Sequence, residues 1–267
     1  MTTVSPTIES ELKPYEAYVP GSHWRNAEDE AEGAKLGMWL FLGTEVLMFG
    51  GFFCAYAVYR MLYPGVWHEA SRHYLSWEIG AINTAVLLLS SFTIVMAIRG
   101  AQLARMWQMV VNIIITIVCA LFFLVVKLRF EYLPKYQKGE LPGAHYNYVP
   151  HGDVVVSGLD PLTAVASTDA GATILATAAP VAEAAGHAAH AFTPGTHDHL
   201  FLSIYWIATA THGLHVLVGV FVLVWALTKA LRWHYGPNHY TSLENIGLYW
   251  HLVDVIWIFL FPLLYLV

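Results

Sequence analysis

Charge is scarce in this 267-residue chain, where Asp, Glu, Lys and Arg supply 12% of the residues, about half the ~25% of an ordinary soluble domain. Cysteine is scarcer still: the two present, Cys54 and Cys119, lie in apolar stretches, where a free thiol behaves as a small hydrophobe. These shortages exclude a soluble globular enzyme, a nucleic-acid binder and a disulfide scaffold. Runs of about ten alternating residues, the mark of a transmembrane barrel, are missing as well. The N-terminus has no basic start followed by an apolar run and a small-residue cleavage site, so no cleaved signal peptide is expected.

What the chain does have is apolar length. Residues 36–59 carry only Glu45, 79–98, 106–126 and 200–228 carry no charge, and 245–267 carries only Asp254. Each reaches the ~20 residues a helix needs to cross a hydrocarbon core of about 30 Å. Backbone groups in hydrocarbon must bond within their own segment. The expected fold is therefore all-α: a polytopic bundle of five transmembrane helices with termini on opposite sides. Lys and Arg divide almost evenly between the two sides, so the positive-inside rule leaves the orientation open. Trp67, Trp77, Trp107, Trp233, Tyr59, Tyr132 and Tyr235 sit near span ends and are expected in interfacial belts.

Four regions follow. Residues 1–34 form a polar tail holding Glu9, Glu11, Glu16, Glu28, Asp29, Glu30 and Glu32, and 35–132 contain the first three spans. Residues 133–198 form a Pro-punctuated, Ala/Thr/Gly-rich insertion, read as extramembrane low-complexity chain, and 199–267 contain the last two spans. The insertion's six histidines (His145, His151, His187, His190, His197 and a sixth, His199, at its end) are irregularly spaced and read as scattered loop residues.

An ionisable group at membrane depth costs ~2.5–3.5 kcal/mol and needs a reason. Glu45 lies about 15 Å along a helix from Lys35, near mid-bilayer. Gly43, Gly50 and Cys54 form a small-residue seam suited to close helix approach, with Glu45 roughly 200° from Gly43. If the seam packs into this chain's own bundle, Glu45 looks outward to a lipid cleft or another subunit. It then either handles protons or stands as a neutral, hydrogen-bonded brace. His212 and His215 share a face of the fourth span, as do His251 and Asp254 of the fifth. They match no Glu-x-x-His or His-Glu-x-x-His metal pattern, so interhelical hydrogen bonding is the expected role and no metal site is assigned. Asn83, Thr84 and Glu131 read the same way. Lys229, Arg232 and His234 beside Trp233 suit either an anionic lipid headgroup or an ordinary snorkelling interface.

Four motifs, Gly-Thr-Glu-Val-Leu-Met-Phe-Gly-Gly-Phe-Phe (43–53), Asn-Thr-Ala-Val-Leu-Leu (83–88), Thr-His-Gly-Leu-His-Val (211–216) and Tyr-Trp-His-Leu-Val-Asp-Val-Ile-Trp (249–257), resemble subunit III of the haem–copper oxidases. The resemblance covers roughly residues 33–132 and 199–267. It implies that Glu45 is the family's carbodiimide-reactive carboxylate and Glu131 its acidic residue ending a helix. It places Lys229, Arg232 and His234 in a basic stretch near bound lipid, and His212, His215, His251 and Asp254 among the interhelical polar residues. The family's longer form has seven helices, of which this chain resembles the last five; the insertion is longer than the family's connection there.

What the resemblance implies is a non-redox accessory subunit of a proton-pumping cytochrome c oxidase in aerobic electron transport. It would pack on subunit I and lie near subunit II, small subunits or a larger respiratory supercomplex. It would hold phospholipid, have no cofactor of its own, and leave haem and copper to its partners. A bacterial inner membrane, a cytoplasmic N-terminus and an outer C-terminus and insertion belong to the same expectation. The same role in a quinol oxidase or nitric oxide reductase is the near alternative. A transporter using Glu45, His212, His251 and Asp254 as a relay is the distant one, weakened by the lack of repeat symmetry.

Overall fold

A computed structural model describes residues 13–16, 18–138 and 198–266; most of the insertion, with all its histidines except His199, lies outside them. Among the described residues the chain is helical: α1 Ala27–Leu62, α2 Pro64–Tyr74, α3 Trp77–Gln102, α4 Met106–Val126, a π-helical turn Lys127–Tyr132 running on into α5 Leu133–Lys138, α6 Asp198–Leu231 and α7 Thr241–Tyr265. Five of these are long and apolar enough to cross a membrane. Polar turns extend them past the apolar stretches: at both ends of the first, second and fourth, through the π-helical turn and α5 for the third, and at the start of the fifth. Residues 27–34 of the tail and 133–138 of the insertion are helical for this reason.

Local chemistry explains the ends. Asn26 caps α1, its Oδ1 accepting from Asp29 N–H at 2.7 Å, and Glu28, Asp29 and Glu30 occupy the first turn, where carboxylates oppose the positive end of the helix dipole. Helix α2 was not expected from the sequence. Pro64 starts it, and Trp67, Ala70, Ser71 and Tyr74 bury one face at helical spacing. Ser71 Oγ donates to the carbonyl of Leu264 at 2.8 Å, pinning α2 to the end of α7. Trp67 is consequently buried in the core and Tyr235 is buried too, whereas Trp77 and Trp107 are exposed as a belt requires. Two of the expected belt residues thus belong to the interior.

Helices α3, α4, α6 and α7 pack in a ring, α3 on α4, α4 on α6, α6 on α7 and α7 on α3, while α1 lies across α6 and α7. Polar contacts lace the ring: Thr93 and Thr116 Oγ1 atoms pair at 2.8 Å, Trp250 Nε1 donates to Ser90 Oγ at 3.0 Å and Trp257 Nε1 to Thr84 Oγ1 at 3.0 Å. In a bilayer such bonds and close packing, not hydrophobicity, hold helices together. Glycines allow close helix approaches, where an added Cβ would meet Phe261 at 2.6 Å from Gly80, Ile98 at 2.7 Å from Gly247 and Trp250 at 2.8 Å from Gly219.

The tail ends as a strap over the α6–α7 turn. Lys13 Nζ sits 4.7 Å above the Trp233 ring, and Tyr15 packs where a Cβ on Gly236 would stand 2.4 Å away. Tyr18 stacks on His239 at 3.8 Å and donates its hydroxyl to Glu30 at 2.8 Å. Burial holds His239 below its ordinary value, helped by the charges of Lys229 and His234 and opposed by Glu30. The docked strap therefore prefers the neutral imidazole. Its stability is full above the ordinary histidine value of about 6.5 and falls as pH drops below it. Trypsin cleavage after Arg25, measured relative to an unstructured reference peptide, should accelerate between about pH 7.5 and 5, and His239→Gln should remove that dependence; equal pH dependence in both proteins would refute the assignment.

Candidate functional site

The buried stripe of α1 is Leu42, Phe49 and Tyr56, one residue every second turn, laid into the groove between α6 and α7. Glu45 flanks that stripe, one turn from Leu42 and from Phe49. Its carboxylate Oε2 lies 2.9 Å from Nε2 of His215 on α6. The expected seam faces the other way: a Cβ on Gly43 or Gly50 would meet nothing within 4 Å, and Cys54 is exposed. The condition under which Glu45 would look outward is therefore not met. Large side chains fill the groove, the small ones line the outer face, and Glu45 turns inward with side-chain exposure of 16% against 19% for His215.

The tautomer of His215 follows from its other contact. Nδ1 lies 2.8 Å from the carbonyl oxygen of Thr211, which can only accept, so Nδ1 carries a proton. A neutral ring then presents a bare Nε2, and the 2.9 Å contact requires Glu45 to be protonated and to donate. The alternative is an imidazolium facing a carboxylate. Phe49 meets the imidazole edge-on at 5.4 Å, so the ring is held on three sides, by Thr211, Glu45 and Phe49, while Tyr249 donates its hydroxyl to the backbone carbonyl of His215 at 2.9 Å.

The shared face of His212 and His215 does not survive packing. Three residues turn a helix through about 300°, and the remaining 60° sends His215 to α1 and His212 into the core. There His212 stacks on Trp257 at 5.3 Å and meets the edge of Phe123 at 5.7 Å. It is buried, and neither ring nitrogen has a hydrogen-bond partner among the described residues; the expected interhelical hydrogen bond of His212 is replaced by a ring stack. Asn83 is likewise buried with its Oδ1 unbonded.

His251 and Asp254 meet through a third residue. Ser91 on α3 donates to Asp254 Oδ2 at 2.5 Å and takes Nδ1–H of His251 at 3.3 Å, tying α3 to α7. Glu131 joins a group of which the sequence reading named no other member. It pairs with Lys127 one turn earlier on the π-helical segment and accepts from the Tyr265 hydroxyl of α7. The ammonium of Lys127 is boxed by the rings of Trp257 at 4.7 Å, Tyr265 at 5.0 Å and Tyr205 at 5.1 Å, cation–π contacts that desolvation strengthens. The Lys127/Glu131 spacing was the available signal, since residues four apart face each other on a helix.

At the other end of the bundle Lys229 Nζ lies 4.1 Å above the Trp225 ring, His234 Nδ1 is 3.2 Å from the Arg232 carbonyl, and Arg232 and His234 are exposed. No three His, Cys, Asp or Glu side chains converge as metal ligands among the described residues.

The profile of the family described as cytochrome c oxidase subunit III matches residues 14–136 and 167–267. The chain belongs to that family. Relatives named cytochrome c oxidase subunit 3 include those of Balaenoptera musculus and Raphicerus melanotis, each 27% identical over 240 residues, covering 88% of this chain and 69% of theirs. That of Antilope cervicapra is 27% identical over 256 residues, covering 94% and 74%. The subunit III match begins ahead of α1 and resumes inside the insertion, so it is wider than the motifs alone suggest; it leaves out residues 1–13 and, within the insertion, 137–166. An integral membrane subunit of an oxidase is the identity that family and fold share.

Proposed function

We propose that this subunit III is the non-redox accessory chain of a proton-pumping terminal cytochrome c oxidase, packing on the catalytic subunit I and supporting its proton uptake and its lifetime under turnover. The observation that carries this is the 2.9 Å contact between Glu45 Oε2 and His215 Nε2 on facing helices. Two ionisable side chains in contact at membrane depth need a functional reason, and proton handling is one that requires neither a metal nor a redox group. The proposal leaves haem and copper to the partner subunits, a phospholipid headgroup to Lys229, Arg232 and His234, and structural bonding to Glu131, His251 and Asp254. The N-terminus is assigned to the cytoplasm and the C-terminus to the outer face of a bacterial inner membrane.

Glu45→Gln is the test, because the amide can still donate to a bare Nε2 but cannot exchange a proton. The assembled complex should reduce oxygen at an initial rate within about twofold of the native one, a barrier change under ~0.5 kcal/mol. Its proton release per electron or its active lifetime should fall, most visibly at high pH. Near-complete loss of oxygen uptake in a fully assembled variant would refute the reading by making Glu45 part of the essential chemistry; unchanged pumping and lifetime would reduce it to a brace.

A further inference from the structure

Helix α7 is the floor of an open groove on the outside of the bundle. Helices α1 and α3 both pack on it, yet among the described residues they do not meet each other, so a strip of α7 stays uncovered between them. His251, Val255 and Pro262 follow one another along that strip at spacings of four and seven residues, which keeps them on one helix face. Val255 and Pro262 are exposed and His251 is half-buried. On the α3 side Leu88 and Val95, a turn before and a turn after Ser91, are exposed as well.

Polar chemistry reaches this apolar strip at mid-membrane depth. His251 lies about 15 Å from the start of α7, a helix of 25 residues. Its ring ends a chain of hydrogen bonds. Asp254, only 3% exposed, accepts from Ser91, and Ser91, its one proton spent, accepts Nδ1–H of His251. A neutral ring therefore presents Nε2 as a bare acceptor, and among the described residues nothing bonds to it. Asp254 Oδ1 is shut in the interior with no partner among the described residues either, so the chain of bonds is short of partners at both ends. Hydrocarbon has no donor to offer, and polar groups left to it are costly. A transmembrane helix laid in the groove brings a donor to the right depth and packs against the apolar side chains beside it.

We propose that the groove between α1 and α3 seats a transmembrane helix from a different chain of the oxidase complex, one that presents a hydrogen-bond donor to Nε2 of His251 about halfway through the membrane. The apolar strip supplies contact area, and the single polar bond sets the depth and rotation of the incoming helix, carrying the Asp254–Ser91–His251 chain across the interface. This draws on the reading of the chain as a subunit that packs on others and on none of the proton chemistry assigned to Glu45 and His215, so the failure of either leaves the other standing.

The whole complex in its own membranes provides the test. Photo-reactive benzoylphenylalanine is placed at the position of Val255, in the groove, or of Phe122, exposed on α4, as the control for attachment by exposure alone. Light should join the Val255 position to a transmembrane peptide of another chain, and the Phe122 position should not capture that peptide. In parallel, the share of this chain kept by the complex through a detergent titration is measured for three variants. His251→Leu removes the acceptor and should lower retention roughly 3- to 30-fold, the range for one interhelical hydrogen bond. His251→Gln returns an acceptor oxygen and should recover most of that loss. Val255→Trp changes an exposed side chain and none of the bonded residues, so it keeps the test sharp even if His251→Leu disturbs the fold; by filling the groove it should lower retention about 10-fold or more. Attachment of the Val255 position to lipid alone or to a second copy of this chain, or native retention in Val255→Trp or His251→Leu, would overturn the proposal.

Discussion

Lys127→Met should be among the most damaging single substitutions in this chain, costing about 3–5 kcal/mol by leaving the buried carboxylate of Glu131 without its cation. Both side chains are almost wholly enclosed, at 4% and 3% exposure, and water cannot replace the lost partner. Tyr265 would still donate a hydrogen bond to the carboxylate, which does not replace the lost charge. The aromatic box of Trp257, Tyr205 and Tyr265 would at the same time lose the charge it surrounds. The double variant Lys127→Met/Glu131→Leu should recover most of the loss, because removing both charges also removes the cost of burying them. The half-life of the folded chain in detergent at a fixed temperature, for the two single variants and the double, is the measurement. A double variant no more stable than the worse single would mean that the pair contributes through something other than mutual neutralisation.

Gly100→Ala should be the second large effect, at about 1–3 kcal/mol. A Cβ there would stand 2.8 Å from the backbone nitrogen of Met109 and 3.1 Å from its Cα, atoms that cannot swing aside as a flexible side chain can. The position is also where the α3–α4 turn closes, with Arg105 N–H returning to the Gly100 carbonyl at 2.8 Å and Ala104 at a φ of 54°. Gly43→Ala is the matched control, because nothing lies within 4 Å of its added methyl. Thermal unfolding in detergent should separate the two, with Gly43→Ala near native. Equal behaviour would show that the α3–α4 approach is looser than its geometry requires.

Five spans, an all-α fold, a membrane setting and the family were legible in the residues themselves, because each follows from local composition or from short motifs whose order does not depend on packing. The face a residue presents is a different kind of information. Glycines 43 and 50 carry the same periodicity whether they pack inward or look outward, and only the groove between α6 and α7, filled by Leu42, Phe49 and Tyr56, decides that Glu45 meets His215. Trp67 near a span end has the composition of a belt residue, yet α2 folds back and buries it. His212 and His215 lie three residues apart in a helix, but 60° of rotation divides a ring stack on Trp257 from a contact with Glu45. Lys127 looks like a topology-setting charge until Tyr265, more than a hundred residues later, closes the box around it with Glu131. Composition thus determined that the chain enters the membrane and roughly where; the contacts between helices, which no single segment encodes, decided which of its few polar groups meet.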